Sequence, residues 1–190
     1  MRYRVHRFSR LTRGRLDVGT DVRGWAVMGA KSRTKGAEFE REVARRLRLL
    51  LGEGWTVQRV PSDRQRGQGG QAGDLVVTGP KAFPWVVECK SHKGFNPAQL
   101  LDPLLPGPFD GWWAQASAQA YAVEGKPALV VRVPNRDLLV AVDQYDLAPL
   151  PMRSGDAAFV PTPCVTLCTG VVVGPWASMA HVLRAGVEWA

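Results

Sequence analysis

The sequence is poor in cysteine and has no long apolar segment, and these absences exclude several classes of protein. Its 190 residues include three cysteines. Three is too few, and odd in number, for a disulfide framework, which favours a reducing cytoplasm. No apolar run approaches the roughly 18 residues of a membrane-spanning helix, so we expect no membrane partner. The first residues are charged with no apolar block behind them, which is not the pattern of a secretory signal.

The positive charge of the chain is concentrated at its start. Hydrophobic residues make up 45% of the chain and charged residues 22%, an ordinary globular mix for one domain with appendages. Residues 1–35 hold ten Lys and Arg against two Asp, while residues 36–190 hold fifteen of each sign, so the first segment carries the whole net charge of +8. A basic front favours a polyanionic partner, above all nucleic acid. The alternative is a solvated basic tail.

The hydrophobic pattern predicts a mixed α/β domain. In chain order, we predict a helix over 34–51, a strand at 55–60, a polar loop at 61–73, strands at 74–78 and 84–90, a helix over 110–123, a hairpin of strands 128–133 and 138–142, a strand near 164–173 and a helix over 175–186. We divide the chain into a basic, poorly ordered arm (1–30), a core (31–145) and a C-terminal extension that packs on the core (146–190).

Charged residues interrupt two otherwise apolar strands, at Asp74 and at Glu88 and Lys90. Because side chains alternate along a strand, Glu88 and Lys90 share one face. If the strands at 74–78 and 84–90 pair as a hairpin, Asp74 lies beside Glu88. Burying such charges costs free energy unless they are paired or bind a metal.

Two neighbouring carboxylates suit a hard cation such as Mg²⁺, which takes one or two protein carboxylates and keeps several waters. Such an ion polarises a phosphodiester and activates water, and a lysine beside it can orient the water or stabilise developing charge. The alternative is an edge-strand salt bridge among Asp74, Glu88 and Lys90.

The first predicted helix opens with three glutamates, Glu38, Glu40 and Glu42. Glu40 lies off the apolar face that carries Phe39 and Val43, so it can point toward the acidic end of the sheet. The alternative is that all three compensate the positive end of the helix dipole. The spacing does not choose among them.

Four segments, taken in order, resemble the archaeal-type Holliday junction resolvases of the PD-(D/E)XK nuclease superfamily. They are Lys35-Gly36-Ala37 with Glu40-Arg41-Glu42, Arg59 with Ser62, Gly73-Asp74-Leu75, and Glu88-Cys89-Lys90-Ser91-His92-Lys93. The resemblance covers about residues 31–145. The helix at 112–115 and the hairpin after it also resemble the corresponding part of phage-encoded relatives of these resolvases. Gly73 stands where the superfamily motif has proline.

The resemblance implies a restriction-endonuclease-like α/β core, with a mixed sheet flanked by helices. It assigns catalysis to Glu40, Asp74, Glu88 and Lys90, with the three carboxylates holding Mg²⁺, for which Mn²⁺ substitutes. The DNA contacts that we expect from the resemblance and from the basic loop are Lys35, Arg41, Arg59, Ser62, Arg64, Arg66 and Lys93.

The implied function is a structure-selective DNA endonuclease that cuts four-way junctions by phosphodiester hydrolysis. We expect it to act as a homodimer in the cytoplasm of a bacterium, or of one infected by phage. The alternatives are another PD-(D/E)XK nuclease of phage recombination or replication, acting on flaps or duplex, or a non-catalytic DNA-binding module. We expect the dimer interface at Trp112, Trp113 and the strands at 128–133 and 138–142. Gln115 and Gln119 are expected on a surface face of the second helix.

Overall fold

The computed structural model describes residues 22–60, 73–101, 107–147, 164–167 and 169–188, with the backbone alone at 22–33 and 188. The helices are α1 (Val22–Leu51), α2 (Phe109–Tyr121) and α3 (Trp176–Glu188), and the strands are β1 (Thr56–Arg59), β2 (Leu75–Thr78), β3 (Trp85–Ser91), β4 (Lys126–Arg132), β5 (Leu139–Asp143), β6 (Val165–Thr166) and β7 (Val171–Pro175). The predictions for residues 1–21 and for Ser62, Arg64 and Arg66 lie outside the described residues. Within the described part, no helix has the length and apolarity needed to cross a membrane.

Five strands form a mixed sheet in the order β3-β4-β5-β7-β6, and β1 and β2 form a separate antiparallel pair. β3 and β4 are parallel and are joined through α2, because parallel neighbours need a crossover connection. All other neighbours in the sheet are antiparallel. The predicted fold class, an α/β core with a mixed sheet flanked by helices, is confirmed.

Helices cover both faces of this sheet, which gives the domain two hydrophobic clusters. On β4, Ala128 and Val130 belong to the cluster under α1 and α3, whereas Leu129 and Val131 belong to the cluster under α2. A strand buried on both faces is apolar at successive positions rather than at alternate ones, as β4 is between its terminal Lys126 and Arg132. The apolar face predicted for the first helix is confirmed at Phe39, which is buried against the sheet.

The first helix is longer than predicted. α1 begins at Val22, so the predicted start at residue 34 is wrong by twelve residues, and residues 22–30 of the predicted arm are helical. Gly24 and Gly29 interrupt the apolar periodicity in this segment, while its Ala, Met, Lys and Arg residues favour helical backbone. The helix propensity of these residues therefore extends α1 through a segment whose hydrophobic pattern does not predict a helix.

The hairpin considered for the strands at 74–78 and 84–90 does not form. β2 pairs with β1, with Arg59 opposite Leu75, and β3 pairs with β4. Parallel pairing with β4 makes β3 the edge strand of the five-stranded sheet, with Trp85, Val87 and Cys89 buried in the first cluster. The C-terminal segment joins the same sheet, since β7 pairs with β5 and α3 packs on the first cluster.

The predicted location of the dimer interface on the strands at 128–133 and 138–142 is also wrong. These strands are β4 and β5, in the interior of the sheet, and Val130 and Val140 are fully buried between the helices. Trp112 and Trp113 are partly buried and pack against the cluster under α2. Because their apolar side chains already complete the core, the strands have no apolar face to offer a partner.

Candidate active site

Asp74 takes the place of a strand partner at the outer edge of β3. Its backbone N–H donates to the Val87 carbonyl at 2.8 Å, and its carboxylate Oδ2 accepts from the Cys89 N–H at 2.7 Å. Its own carbonyl accepts from the Val60 N–H at 2.8 Å, which connects it to the end of β1. Contacts to residues 87 and 89 hold Asp74 beside Glu88. The two carboxylates are thus neighbours without a hairpin between β2 and β3, through these hydrogen bonds of Asp74.

The turn before Asp74 requires glycine. Gly73 has a φ of +80°, and a Cβ at this position would lie 2.7 Å from the Val87 carbonyl oxygen. Proline, which the superfamily motif has here, fixes φ near −65° and has no N–H. The Gly73 N–H donates to Gln119 Oε1 at 3.2 Å. The departure from the motif thus follows from the local backbone.

Glu88 and Lys90 lie on the face of β3 that is covered by α2, as the alternation of side chains predicts. The Lys90 Nζ donates to Glu88 Oε1 at 2.7 Å. Gln115 of α2 joins both groups, because its Nε2 donates to Glu88 Oε1 at 2.9 Å and its Oε1 accepts from Lys90 Nζ at 3.0 Å. Glu88 is only 3% exposed, and Asp74 only 8%. Both carboxyl groups are therefore held in a poorly hydrated site.

Burial and mutual repulsion destabilise the negative charges of this site, so the site favours a bound cation. Burial raises the pKa of Glu88, and the negative charge of Asp74 raises it further, whereas Lys90 lowers it and Glu40 adds a smaller increase. Burial and the same carboxylates also raise the pKa of the Cys89 thiol well above its usual range. A thiol kept protonated in this way is not a nucleophile. A cation placed between Asp74 and Glu88 would relieve the repulsion that raises the pKa of Glu88.

Glu40 is the one of the three helix glutamates that faces this site. It forms a partly buried ion pair with Arg59 of β1, and its charge acts on both Glu88 and Cys89. Glu38 is exposed. Of the three glutamates, Glu40 is thus the one whose charge reaches Glu88, and its catalytic role stays a prediction.

Glu42 lies on the other side of α1 and holds the helix to the sheet. It pairs with Arg132 at the end of β4 and, at 3.2 Å, with Arg46 one helical turn away. The Arg132 guanidinium also lies 4.6 Å from the centre of the Phe39 ring. These contacts give Glu42 a role in packing α1 rather than in the acidic cluster.

The acidic pair fits a hard divalent cation, although the described residues hold no ready-made cage. Among these residues, no three His, Cys, Asp or Glu side chains converge as a metal site. The predicted third ligand, Glu40, is engaged by Arg59. Mg²⁺ needs only one or two carboxylates and retains several waters. Asp74 and Glu88, close and like-charged, meet that requirement, and Lys90 partly compensates the charge of Glu88.

The predicted DNA contacts that the structure describes differ in their exposure to solvent. Lys35 and Arg41 are exposed on α1, and Lys93 is exposed in the turn after β3. Arg59 is partly buried in its pair with Glu40. Three of these four basic side chains are thus exposed to solvent, while Arg59 is the one directed into the acidic cluster.

Residues 31–152 match the model of a family described as "Phage putative PDDEXK endonuclease". The chain belongs to this family. Protein D14 of Escherichia phage T5 is 30% identical to it over 122 residues, which are 63% of this chain and 75% of D14. No solved structure matches the chain significantly.

Membership of this PD-(D/E)XK family identifies the chain as a nuclease of that type. Asp74, Glu88 and Lys90 all lie within the matched residues, as does α1 from residue 31 onward. The matched range ends at residue 152, although β7 and α3 belong to the same folded core. The match does not distinguish an archaeal-type junction resolvase from other endonucleases of the superfamily.

The surface position expected for Gln115 of this PD-(D/E)XK nuclease is confirmed, since this residue is exposed, while Gln119 is half-buried. The contacts that the two glutamines make were not predicted. Gln115 bonds to Glu88 and Lys90, and Gln119 to Gly73. One signal was present: the two glutamines lie one helical turn apart on a helix whose neighbouring positions are mostly alanine. A polar pair at that spacing marks one helix face.

Proposed function

We propose that the chain is a Mg²⁺-dependent DNA endonuclease, with Asp74 and Glu88 as the ligands of the cation and Mn²⁺ as a substitute. The observation that carries this proposal is the close grouping of the two buried carboxylates with Lys90 in a member of a PD-(D/E)XK endonuclease family. Bound there, Mg²⁺ would supply Lewis-acid polarisation of the phosphodiester and of the attacking water.

The remaining residues of the cluster act on charge and orientation. Lys90, 2.7 Å from Glu88, is placed to orient the water and to stabilise the negative charge that develops on the phosphate. Glu40 adds negative potential from α1. Arg59, which pairs with Glu40, would exchange this carboxylate for a DNA phosphate when substrate binds. We propose Glu40 as the third acidic member of the catalytic set on this basis.

The proposed substrate is branched DNA, in particular the four-way junction. The resemblance of the four sequence segments to junction resolvases supports it. The proposed DNA contacts, in and beyond the described residues, are Lys35, Arg41, Arg59, Ser62, Arg64, Arg66 and Lys93. Contacts from Lys and Arg to phosphates position a protein without reading bases, so selectivity would come from DNA shape.

A homodimer is part of the same proposal. Resolution of a four-way junction requires two incisions related by a two-fold axis, and the described chain supplies one cluster of this kind. Because β4 and β5 are buried, the interface cannot lie on these strands, and Trp112 and Trp113, which are partly exposed, remain the proposed part of the expected surface. Action on recombining DNA in the cytoplasm of a bacterial or phage-infected cell remains a prediction.

The deciding experiment is a cleavage assay on a four-way junction beside flap and linear duplex of matched sequence, with Mg²⁺ or with EDTA. We expect Mg²⁺-dependent incision, fastest on the junction. If a flap or linear duplex is cut faster than the junction, the assignment as a nuclease stands and the assignment as a junction resolvase is wrong. Binding without incision of any substrate would favour the DNA-binding module.

Glu40→Gln and Glu42→Gln form a matched pair for this assay, since they remove the same charge two residues apart on α1. Glu40→Gln should lose most of the incision. Glu42→Gln should retain it, and the loss of its partly exposed ion pairs should cost about 1 kcal/mol or less in stability. Equal activity of the two variants would remove Glu40 from the catalytic set.

A further inference from the structure

Two glutamines of α2 reach both halves of the acidic cluster. Gln115 bonds to Glu88 at 2.9 Å and to Lys90 at 3.0 Å, both on β3. Gln119, one helical turn along, accepts the Gly73 N–H at 3.2 Å, directly before Asp74. A single helix face therefore contacts the two chain segments that carry the carboxylates.

The position of this helix face is set by the core. Ala116 and Ala120 follow the two glutamines in sequence and are fully buried, and Ala116 belongs to the cluster between α2 and the sheet. A methyl group lets the helix approach the sheet closely. Gln115 is exposed and Gln119 is half-buried, so the two amides are held by their hydrogen bonds to β3 and to Gly73 rather than by burial.

An amide suits the position of Gln115 chemically. It donates to a carboxylate and accepts from an ammonium group at the same time, and it adds no charge to a site that already holds two close carboxylates. A carboxylate there would add to the repulsion on Glu88, and an apolar side chain would leave Lys90 with one partner fewer.

We propose that Gln115, assisted by Gln119, is a positioning residue of the nuclease site: it fixes the orientation of Glu88 and Lys90, while Gln119 fixes the turn that presents Asp74. This inference rests on the proposed function, in which those three residues hold the cation and act on the phosphate. Groups that orient metal ligands are worth about 10- to 100-fold in metal affinity or activity.

The test compares Gln115→Met with the wild type and with Gln58→Met, the same change at an exposed position of β1. Four quantities are measured on the full-length chain: the single-turnover rate at saturating Mg²⁺ and DNA, the Mn²⁺ dissociation constant by calorimetry without DNA, DNA affinity with Ca²⁺ in place of Mg²⁺, and the melting temperature.

We expect Gln115→Met to lower the rate and the Mn²⁺ affinity by about 10- to 100-fold, with DNA affinity and melting temperature close to those of Gln58→Met. Gln119→Met should show a smaller loss in the same two quantities, because its contact acts through the Gly73 backbone. A rate and a Mn²⁺ affinity equal to those of the Gln58→Met control would overturn the inference. A loss of rate that follows a fall in melting temperature and in DNA affinity would also overturn it, since it would mark a structural residue.

The calorimetric measurement separates this inference from the proposed function. If the wild type binds Mn²⁺ without cutting DNA, and Gln115→Met weakens that binding, positioning stands and the nuclease proposal fails. If the wild type cuts DNA and Gln115→Met matches it in both quantities, the nuclease proposal stands and the positioning inference fails.

Discussion

Replacement of Asp74 by Asn separates the chemistry of this residue from its structural role. The side-chain oxygen of Asn can still accept the Cys89 N–H that Asp74 Oδ2 accepts at 2.7 Å. The backbone bond from residue 74 to the Val87 carbonyl is unaffected. The neutral amide is nevertheless a poorer ligand for a hard cation. We therefore expect Asp74→Asn to fold, to bind DNA and to lose cleavage.

The magnitudes follow from the buried hydrogen bond. Asp74→Ala leaves the Cys89 N–H without its acceptor, which costs about 1–3 kcal/mol and, for a chain of this size, a fall of roughly 2–12 °C in melting temperature. Asp74→Asn exchanges a charged acceptor for a neutral one, at a cost of about 1 kcal/mol that the relief of repulsion with Glu88 offsets. We therefore expect Asp74→Asn to be as stable as the wild type and Asp74→Ala to be less stable than both.

The assay is thermal unfolding with and without Mg²⁺, run beside cleavage. A cation at about 100 times its dissociation constant stabilises the folded chain by roughly 2.7 kcal/mol, and this gain should appear in the wild type and in neither variant. Wild-type turnover by Asp74→Asn would refute the assignment of Asp74 as a metal ligand. A melting temperature as low for Asn as for Ala would show that the charge itself supports the fold.

The remaining predictions concern the pH dependence of stability and the basic start of the chain. The raised pKa of Glu88 means that the folded chain binds this proton more tightly than the unfolded one, so without metal the free energy of unfolding should fall as pH rises from the ordinary Glu range through the raised value. Glu88→Gln should lack this fall in denaturant titrations and exceed the wild type at neutral pH; parallel pH curves would contradict the burial argument. A chain that begins at Met28 removes seven arginines and two aspartates. It should keep its cleavage pattern and show a weaker salt dependence of DNA affinity, by roughly 0.9 in log–log slope for each phosphate that the removed arginines would have neutralised. Loss of incision with the core still folded would place these residues in the active machinery.

The parts of the fold that were predictable depend on local patterns. Alternation along β3 placed Glu88 and Lys90 on one face, because the period of two is a property of the strand itself. The unbroken apolar run of β4 likewise marks a strand buried on both faces. Which strands pair is a tertiary outcome, and the hairpin expected between β2 and β3 is absent, since β3 pairs with β4 through a crossover.

The choice among the helix glutamates shows the same limit. Glu38, Glu40 and Glu42 have equivalent chemistry and helix-compatible spacing, so no local rule separates them. They differ in their distant partners: Glu40 meets Arg59, 19 residues away, and Glu42 meets Arg132, 90 residues away. The resemblance to a nuclease family supplied the assignment of Glu40 that the helical spacing lacked.

Gly73, which stands where the superfamily motif has proline, is bonded to Gln119, a contact that was not predicted. A proline before the catalytic aspartate restricts the backbone by its ring, but Gly73 has a φ of +80° that proline cannot adopt. Glycine is the least restricted residue, so Asp74 is held instead by its own hydrogen bonds to Val87, Val60 and Cys89. The bond from the Gly73 N–H to Gln119 adds a contact from α2, through a donor that proline lacks. This contact joins residues 46 positions apart, which local sequence rules do not reveal.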